Sequence, residues 1–286
     1  MSEIFHTVIG LPRSGKTTFL AALWHLITAG EVSTKLIVKK LVGNTTHLDT
    51  ISERWRRCEE ITRTSIADET AVTMFVHEPL SNREYTLKFP DLSGESFNQQ
   101  VRTRECTESY VEGLNSGGGL VLFVTANRPS DGLAIVEMPG QPPGADGANG
   151  PPPQQPPAAI QPWKSDSTPE QVRLVELLQF LQRKPFARRQ RKVALIISAW
   201  DTVLEPKPSP PQWIFREMPL LHQFMTTNPN SFLVRVYGVS AQGGDVKGAQ
   251  RDALLRQTPS ERILCLDPET RPVDLTEPIQ WLTQGL

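Results

Sequence analysis

Cysteine is nearly absent from this sequence. Among 286 residues only Cys58, Cys106 and Cys265 occur, far apart and in no C-x-x-C spacing. That excludes a disulfide scaffold and a cysteine-based zinc site, and it fits a reducing cytoplasm. An excess of either charge is also missing. Thirty Lys and Arg stand against 31 Asp and Glu, so nothing general argues for nucleic acid or an anionic membrane as partner. The one notable basic run, Arg188-Arg189-Gln190-Arg191-Lys192, precedes an apolar strand and reads as a solvated face. No apolar stretch is long enough to span a bilayer; the best, Phe19–Ile27, is interrupted by His25. Met1-Ser2-Glu3-Ile4 lacks the charged and apolar regions of a signal peptide. Repeats of fixed period are missing too. The expectation is a cytoplasmic protein without membrane or nucleic acid as partner. Its 38% hydrophobic content suffices for a sizeable core.

What is present begins with Gly10-Leu11-Pro12-Arg13-Ser14-Gly15-Lys16-Thr17, which fits G-x-x-x-x-G-K-[ST] at every fixed position. An apolar His6–Ile9 reads as a buried strand before it, and Thr18–Ile27 as a helix after it. Strand, loop and helix are the context in which the pattern has a physical meaning. A Gly-rich turn points successive N–H groups inward, and the helix start adds partial positive charge; together they hold a phosphate chain. Lys16 would reach the terminal phosphates and the Thr17 hydroxyl would hold Mg²⁺. Thr18, next in the same turn, is counted with the nucleotide contacts.

Three further stretches end strands. Glu84–Phe89 runs into Pro90-Asp91-Leu92-Ser93-Gly94-Glu95, where Asp91 is placed to hold Mg²⁺ through water and the Gly94 N–H to contact the last phosphate. Val193–Ile197 runs into Ser198-Ala199-Trp200-Asp201, and Phe232–Val239 into Ser240-Ala241-Gln242-Gly243. Open α/β sheets bind ligands at such carboxyl ends. Around them, Thr70–His77 and Glu84–Phe89 alternate as a β-hairpin. Helices are expected from Thr46 or Asp49 to Glu60, with Leu48, Ile51, Trp55 and Cys58 as a core stripe, and from Thr168, with Val172, Val175, Leu178 and Leu181 inward. Ser96–Gly113 reads as helical, and a Trp213–Phe224 helix should kink at Pro219. Met138–Pro162, dominated by Pro, Gly, Gln and Ala, reads as a disordered or polyproline-like insertion. The whole, 1–286, is expected to be one α/β domain. It should have three layers: a mostly parallel six-stranded sheet, one antiparallel strand from the hairpin, and helices on both faces.

The order of the four motifs resembles that of the Ras-like GTPases of the translation-factor-related class, which carry the phosphate loop, D-x-x-G, [NT]-K-x-D and S-A-[KL] in sequence. Within that class, Asp91-Leu-Ser-Gly-Glu95, the degenerate Ser198-Ala-Trp-Asp201 and the terminal Thr276-Glu-Pro-Ile-Gln-Trp-Leu282 look like the bacterial double-GTPase group of conflict and defence operons. The resemblance implies the P-loop nucleotide hydrolase fold and GTP or GDP with Mg²⁺. It implies a switch driven by attack of water on the γ-phosphate, and a protein effector or second GTPase as partner. It gives Asp201 the reading of the guanine N1 and N2 hydrogens, with Ser240 and Ala241 beside it. Ser198 replaces the Asn that ties loops together, and Ala199 the Lys whose stem lies along the base. Glu95 stands where the water-orienting Gln is found; it is read as a base, as a water-positioning group, or as a surface switch residue. Arg13 matches an arginine of the guanylate-binding proteins that acts as an internal arginine finger, or else points to solvent. Thr64, with Thr62 as alternative, is the first-switch ligand of Mg²⁺. The Pro-rich insertion reads as a partner-docking arm or an inert tether. Two rival readings share the loop: an ATP-using P-loop protein, and a GTP-loaded scaffold with negligible hydrolysis.

Overall fold

The computed structural model describes residues 5–42, 46–61, 72–89, 94–127 and 168–284. The Met138–Pro162 insertion lies outside the described residues. In chain order the elements are β1 (Thr7–Gly10), α1 (Lys16–Ala29), β2 (Ile37–Val42), α2 (Thr46–Arg56), β3 (Val72–Glu78), β4 (Arg83–Phe89), α3 (Gly94–Thr103), α4 (Glu108–Asn115) and β5 (Leu120–Thr125). After them come α5 (Glu170–Phe180), β6 (Arg191–Ser198), α6 (Pro210–Glu217), α7 (Pro219–Thr227), β7 (Phe232–Ser240), α8 (Arg251–Leu255), β8 (Leu264–Leu266) and α9 (Glu277–Thr283).

The central sheet runs β1-β5-β6-β7-β8; its first four strands are parallel and β8 is antiparallel. β5 and β6 are nearly continuous apolar runs because parallel strands are covered on both faces. On one face Phe123, Ala194 and Ile196 pack with Phe19, Leu20 and Leu23 of α1 and Ile279 and Leu282 of α9. On the other, Leu122, Leu195 and Ile197 pack with Phe97, Leu174, Leu178, Ile214 and Leu221 of the helices α3 to α7. This is the three-layer α/β architecture with helices on both faces. The strands are shared out differently from the sequence expectation. The β3–β4 hairpin forms, but β2 pairs with the free edge of β3, from Ile37 opposite His77 to Val42 opposite Thr73. With both edges of β3 satisfied, the three strands make a separate antiparallel sheet. The central sheet then has five strands, and its antiparallel member is β8. At three residues, β8 is too short to show an alternating pattern.

Other departures have local causes. Pro219 splits the expected single helix outright: Met218 leaves helical geometry at φ −135°, and Pro219 opens α7. Arg104, at φ 61°, separates α3 from α4. Helix α2 stops at Arg56, short of Glu60, with Leu48, Ile51, Trp55 and Cys58 buried as expected. Val172 of α5 turns outward while Leu174, Val175, Leu177 and Leu178 turn in. The basic run is a solvated face only in part: Arg188 and Gln190 are exposed. Arg191 is buried at the start of β6, donating to the carbonyls of Leu181 and Ala187, and Lys192 lies 5.1 Å from the Trp281 ring centroid.

His6, just before β1, is fully enclosed and its Nδ1 accepts the Gly119 N–H at 3.0 Å. Burial, with Lys192 nearby, pushes its pKa down from 6.5 to about 4, so it folds neutral. The unfolded chain therefore binds the extra proton between those values. The His6 contribution is complete above pH 6.5 and is lost as pH falls toward about 4, amounting to about 3 kcal/mol. In urea melts across this range, His6→Gln should lose much of the wild-type slope. An unchanged slope would place the proton uptake elsewhere.

Candidate functional site

β1 delivers the chain into the loop at the carboxyl edge of the central sheet, and α1 leaves it there. Arg13, at φ 63°, and Gly15, at φ 87°, turn the backbone so that the loop closes on the first turn of α1. A side chain at Gly15 is excluded twice. The left-handed φ strains any L residue, and a Cβ would stand 2.7 Å from Ser198 Cβ and Oγ. Such a concave run of backbone N–H groups at a helix N-terminus is an anion cradle. Lys16 is buried, and its ammonium donates to the carbonyls of Gly10 (2.8 Å) and Leu11 (2.9 Å) and to Ser14 Oγ (3.3 Å). Ser14 is buried beside it, Thr17 and Thr18 are half-buried in the first turn, and Arg13 is exposed at the loop tip.

Gly94 opens α3 against this loop. A Cβ on it would fall 2.2 Å from Pro12 N and 2.5 Å from Leu11 C, so the two backbones meet with no side chain between them. Glu95 follows, half-buried, in the first turn of α3. The second motif's glycine is thus brought onto the phosphate loop. Asp91, Thr62 and Thr64 lie outside the described residues.

The third motif is tied to the first by one hydrogen bond: Ser198 Oγ donates to the Ser14 carbonyl at 2.9 Å. The resemblance assigned this tie to an Asn; here a hydroxyl makes it, at the contact point with Gly15. Ala199 then takes a left-handed conformation, φ 54° and ψ 39°, and starts a 3₁₀ turn over Trp200–Thr202. The turn drives Trp200 inward, fully buried, where it packs edge-on to Trp213 and flat against Gly238; a Cβ at Gly238 would sit 2.5 Å from the indole. Asp201 is thereby turned outward and exposed. Its Oδ1 accepts from Ser240 Oγ, which itself accepts the Gly243 N–H at 3.2 Å. The carboxylate is oriented from the neighbouring strand end.

Ala241 is buried and its carbonyl accepts from the Trp55 indole at 2.9 Å; Gln242 Nε2 donates to the Trp55 carbonyl at 3.2 Å. Arg262 stacks over the same indole at 4.9 Å. Sequence reading placed Trp55 in the core but missed that it anchors the fourth motif. No local signal carries that, because the partner is 186 residues away. Trp200 was likewise passed over as a variable position inside a motif.

The donor set fits Mg²⁺. This ion keeps several waters and takes one or two protein ligands together with phosphate oxygens. Thr17, half-buried in the first turn of α1, is a residue that could offer such a ligand. Among the described residues, no three of His, Cys, Asp or Glu gather into an all-protein cage.

The arrangement brings Gly10, Ser14, Gly15, Lys16, Gly94 and Ser198 into one cluster. It joins Asp201, Ser240 and Ala241 to that cluster through the Ser198–Asp201 turn. Among solved structures, a bacterial selenocysteine-specific elongation factor, EF-Sec, is similar at 14% identity and a TM-score of 0.37. The match covers 91% of this chain and 30% of that one. No curated protein is significantly similar in sequence. The family model described as Double-GTPase 1 matches residues 7–282, from the start of β1 to the last helix. The chain belongs to the Double-GTPase 1 family.

Proposed function

We propose that the protein binds GTP and GDP, hydrolyses GTP, and works as a molecular switch on a protein effector or a second GTPase in a bacterial conflict or defence system. The observation that carries this reading is the Ser198–Ser14 hydrogen bond, which couples the phosphate cradle to the turn that presents Asp201. That bond supports reading the two regions as halves of one nucleotide site. Loop N–H groups and Lys16 take the phosphates. Ser240 engages one oxygen of the Asp201 carboxylate and fixes its plane, so that it can accept from guanine N1–H and the N2 amine. Adenine offers no donor at N1, so the same carboxylate selects against it.

Hydrolysis adds water to the γ-phosphorus of GTP and releases GDP and inorganic phosphate. Lys16 stabilises the charge that develops on the oxygens, and Arg13, exposed at the loop tip, acts as an internal arginine finger or else stays turned to solvent. Glu95 sits beside Gly94, where a group acting on the attacking water is needed. Thr17 and Thr64, with Asp91 through water, would hold Mg²⁺, which would supply neutralisation of the phosphate charge. The test is single-turnover release of phosphate from GTP with excess protein and Mg²⁺. Release above the buffer rate, slowed in Glu95→Ala, is expected. A rate equal to buffer, with GTP still bound, would make the protein a GTP-loaded scaffold instead.

A further inference from the structure

The opposite end of the central sheet holds a second, basic cleft. It lies where β6 begins, about 23 Å along the strand from Ser198 at roughly 3.3 Å per residue. Gln182, Arg188, Arg189, Arg191, Asn230 and Ser231 line a volume of about 400 Å³, within the range of small-molecule sites.

Its arginines are held open rather than paired. Arg191 is almost wholly buried, its Nη1 donating to the Leu181 carbonyl (3.0 Å) and its Nη2 to the Ala187 carbonyl (2.8 Å), while its Nε–H, also buried, has no acceptor among the described residues. Arg189 donates through Nη2 to the Leu114 and Gly118 carbonyls at 3.2 and 2.7 Å, and its buried Nε–H is likewise without an acceptor. Arg188 stands exposed at the mouth. Among the described residues, none of the three pairs with a carboxylate. Two guanidiniums fixed by backbone carbonyls keep their full charge beside each other, and unmet buried donors are costly. Burial, with Arg189 adding repulsion, pushes Arg191 down to about 10, the mark of a cation short of a counter-charge.

A multivalent oxyanion in the cleft offsets the uncompensated positive charge of the three guanidiniums. Guanidinium forks match phosphate oxygens geometrically, and Asn230 and Ser231 add neutral polar groups to the rim. We propose that this cleft is a second anion site, separate from the phosphate loop, that takes a small phosphorylated solute between Arg188, Arg189 and Arg191.

The experiment is calorimetric titration with pyrophosphate in low salt. Wild type should show two sites, one lost in Lys16→Ala and the other in Arg188→Ala. Arg188 is exposed and unpaired, so its removal leaves the fold intact, and affinity at the second site should fall about tenfold or more for one lost charge-assisted contact. Asn230→Ala gives an independent, smaller weakening of the same site. Two outcomes overturn the proposal. One is a single wild-type site that vanishes with Lys16→Ala. The other is two sites that both survive Arg188→Ala and Asn230→Ala. Phosphatidylserine vesicles and a short single-stranded oligonucleotide form the remaining arms. Arg188-dependent binding of either, with none of pyrophosphate, overturns the small-solute assignment.

Discussion

Lys16→Ala is expected to lower GTP turnover by roughly 10²–10³, the usual cost of removing one preorganised donor from developing negative charge. The reasoning starts from the loop itself. The Lys16 ammonium is held inside the loop by the Gly10 and Leu11 carbonyls and Ser14 Oγ, and it exchanges one or more of these acceptors for phosphate oxygens when phosphate arrives. Removing it takes a positive charge from the cradle and leaves two inward-facing carbonyls repelling the phosphates. Ground-state binding should therefore weaken along with turnover. Lys16→Arg should not rescue, since a planar fork cannot take the place of a compact ammonium bonded to the Gly10 and Leu11 carbonyls. Single-turnover rates and nucleotide titration on both variants check this. Turnover within about twofold of wild type would remove Lys16 from the chemistry assigned to it.

Trp200→Ala carries the largest expected stability effect, about 3–5 kcal/mol, as for other fully buried aromatic residues cut to Ala. Against a whole-domain stability of about 5–15 kcal/mol, this brings the chain close to unfolding. Trp200 contacts Trp213 and Gly238, and its indole N–H has no partner among the described residues, so the loss is one of packing rather than of hydrogen bonding. Its neighbour Asp201 is aimed by the same turn. A smaller cut, Trp200→Phe, should keep the fold while loosening guanine selectivity. Urea midpoints at constant m-value report the first effect and nucleotide competition the second. A Trp200→Ala chain as stable as wild type would mean that the turn is held by something other than this side chain.

How much of this was legible in the sequence depends on how local each feature is. The turn between β1 and α1 was readable because it is made by consecutive residues whose left-handed backbone Gly15 permits. The third and fourth motifs were readable through strand order, since parallel strands place their carboxyl ends together. What the sequence could not show was contact between distant segments. Trp55 reads as one more apolar residue of a helical stripe, yet its indole holds the Ala241 carbonyl. Ser198 reads as a lost Asn, yet its hydroxyl reaches Ser14 because Gly15 lets the loop approach the end of β6. The pairing of β2 with β3 depends on an edge that sequence periodicity does not specify. The basic run misled for a similar reason: Arg191 finds its acceptors among carbonyls of the preceding connection, not in solvent.

The central claim is that Asp201, fixed by Ser240 and tied through Ser198 to the phosphate loop, reads a guanine base. Titration with fluorescent GTP, ATP and XTP analogues, on wild type and on Asp201→Asn, tests it most directly. Wild type should prefer GTP. Asp201→Asn should lose GTP affinity and gain XTP affinity, because xanthine offers an acceptor where guanine offers the N2 amine and an amide can donate to it. Tighter binding of ATP than of GTP by wild type, unchanged in Asp201→Asn, would contradict the claim.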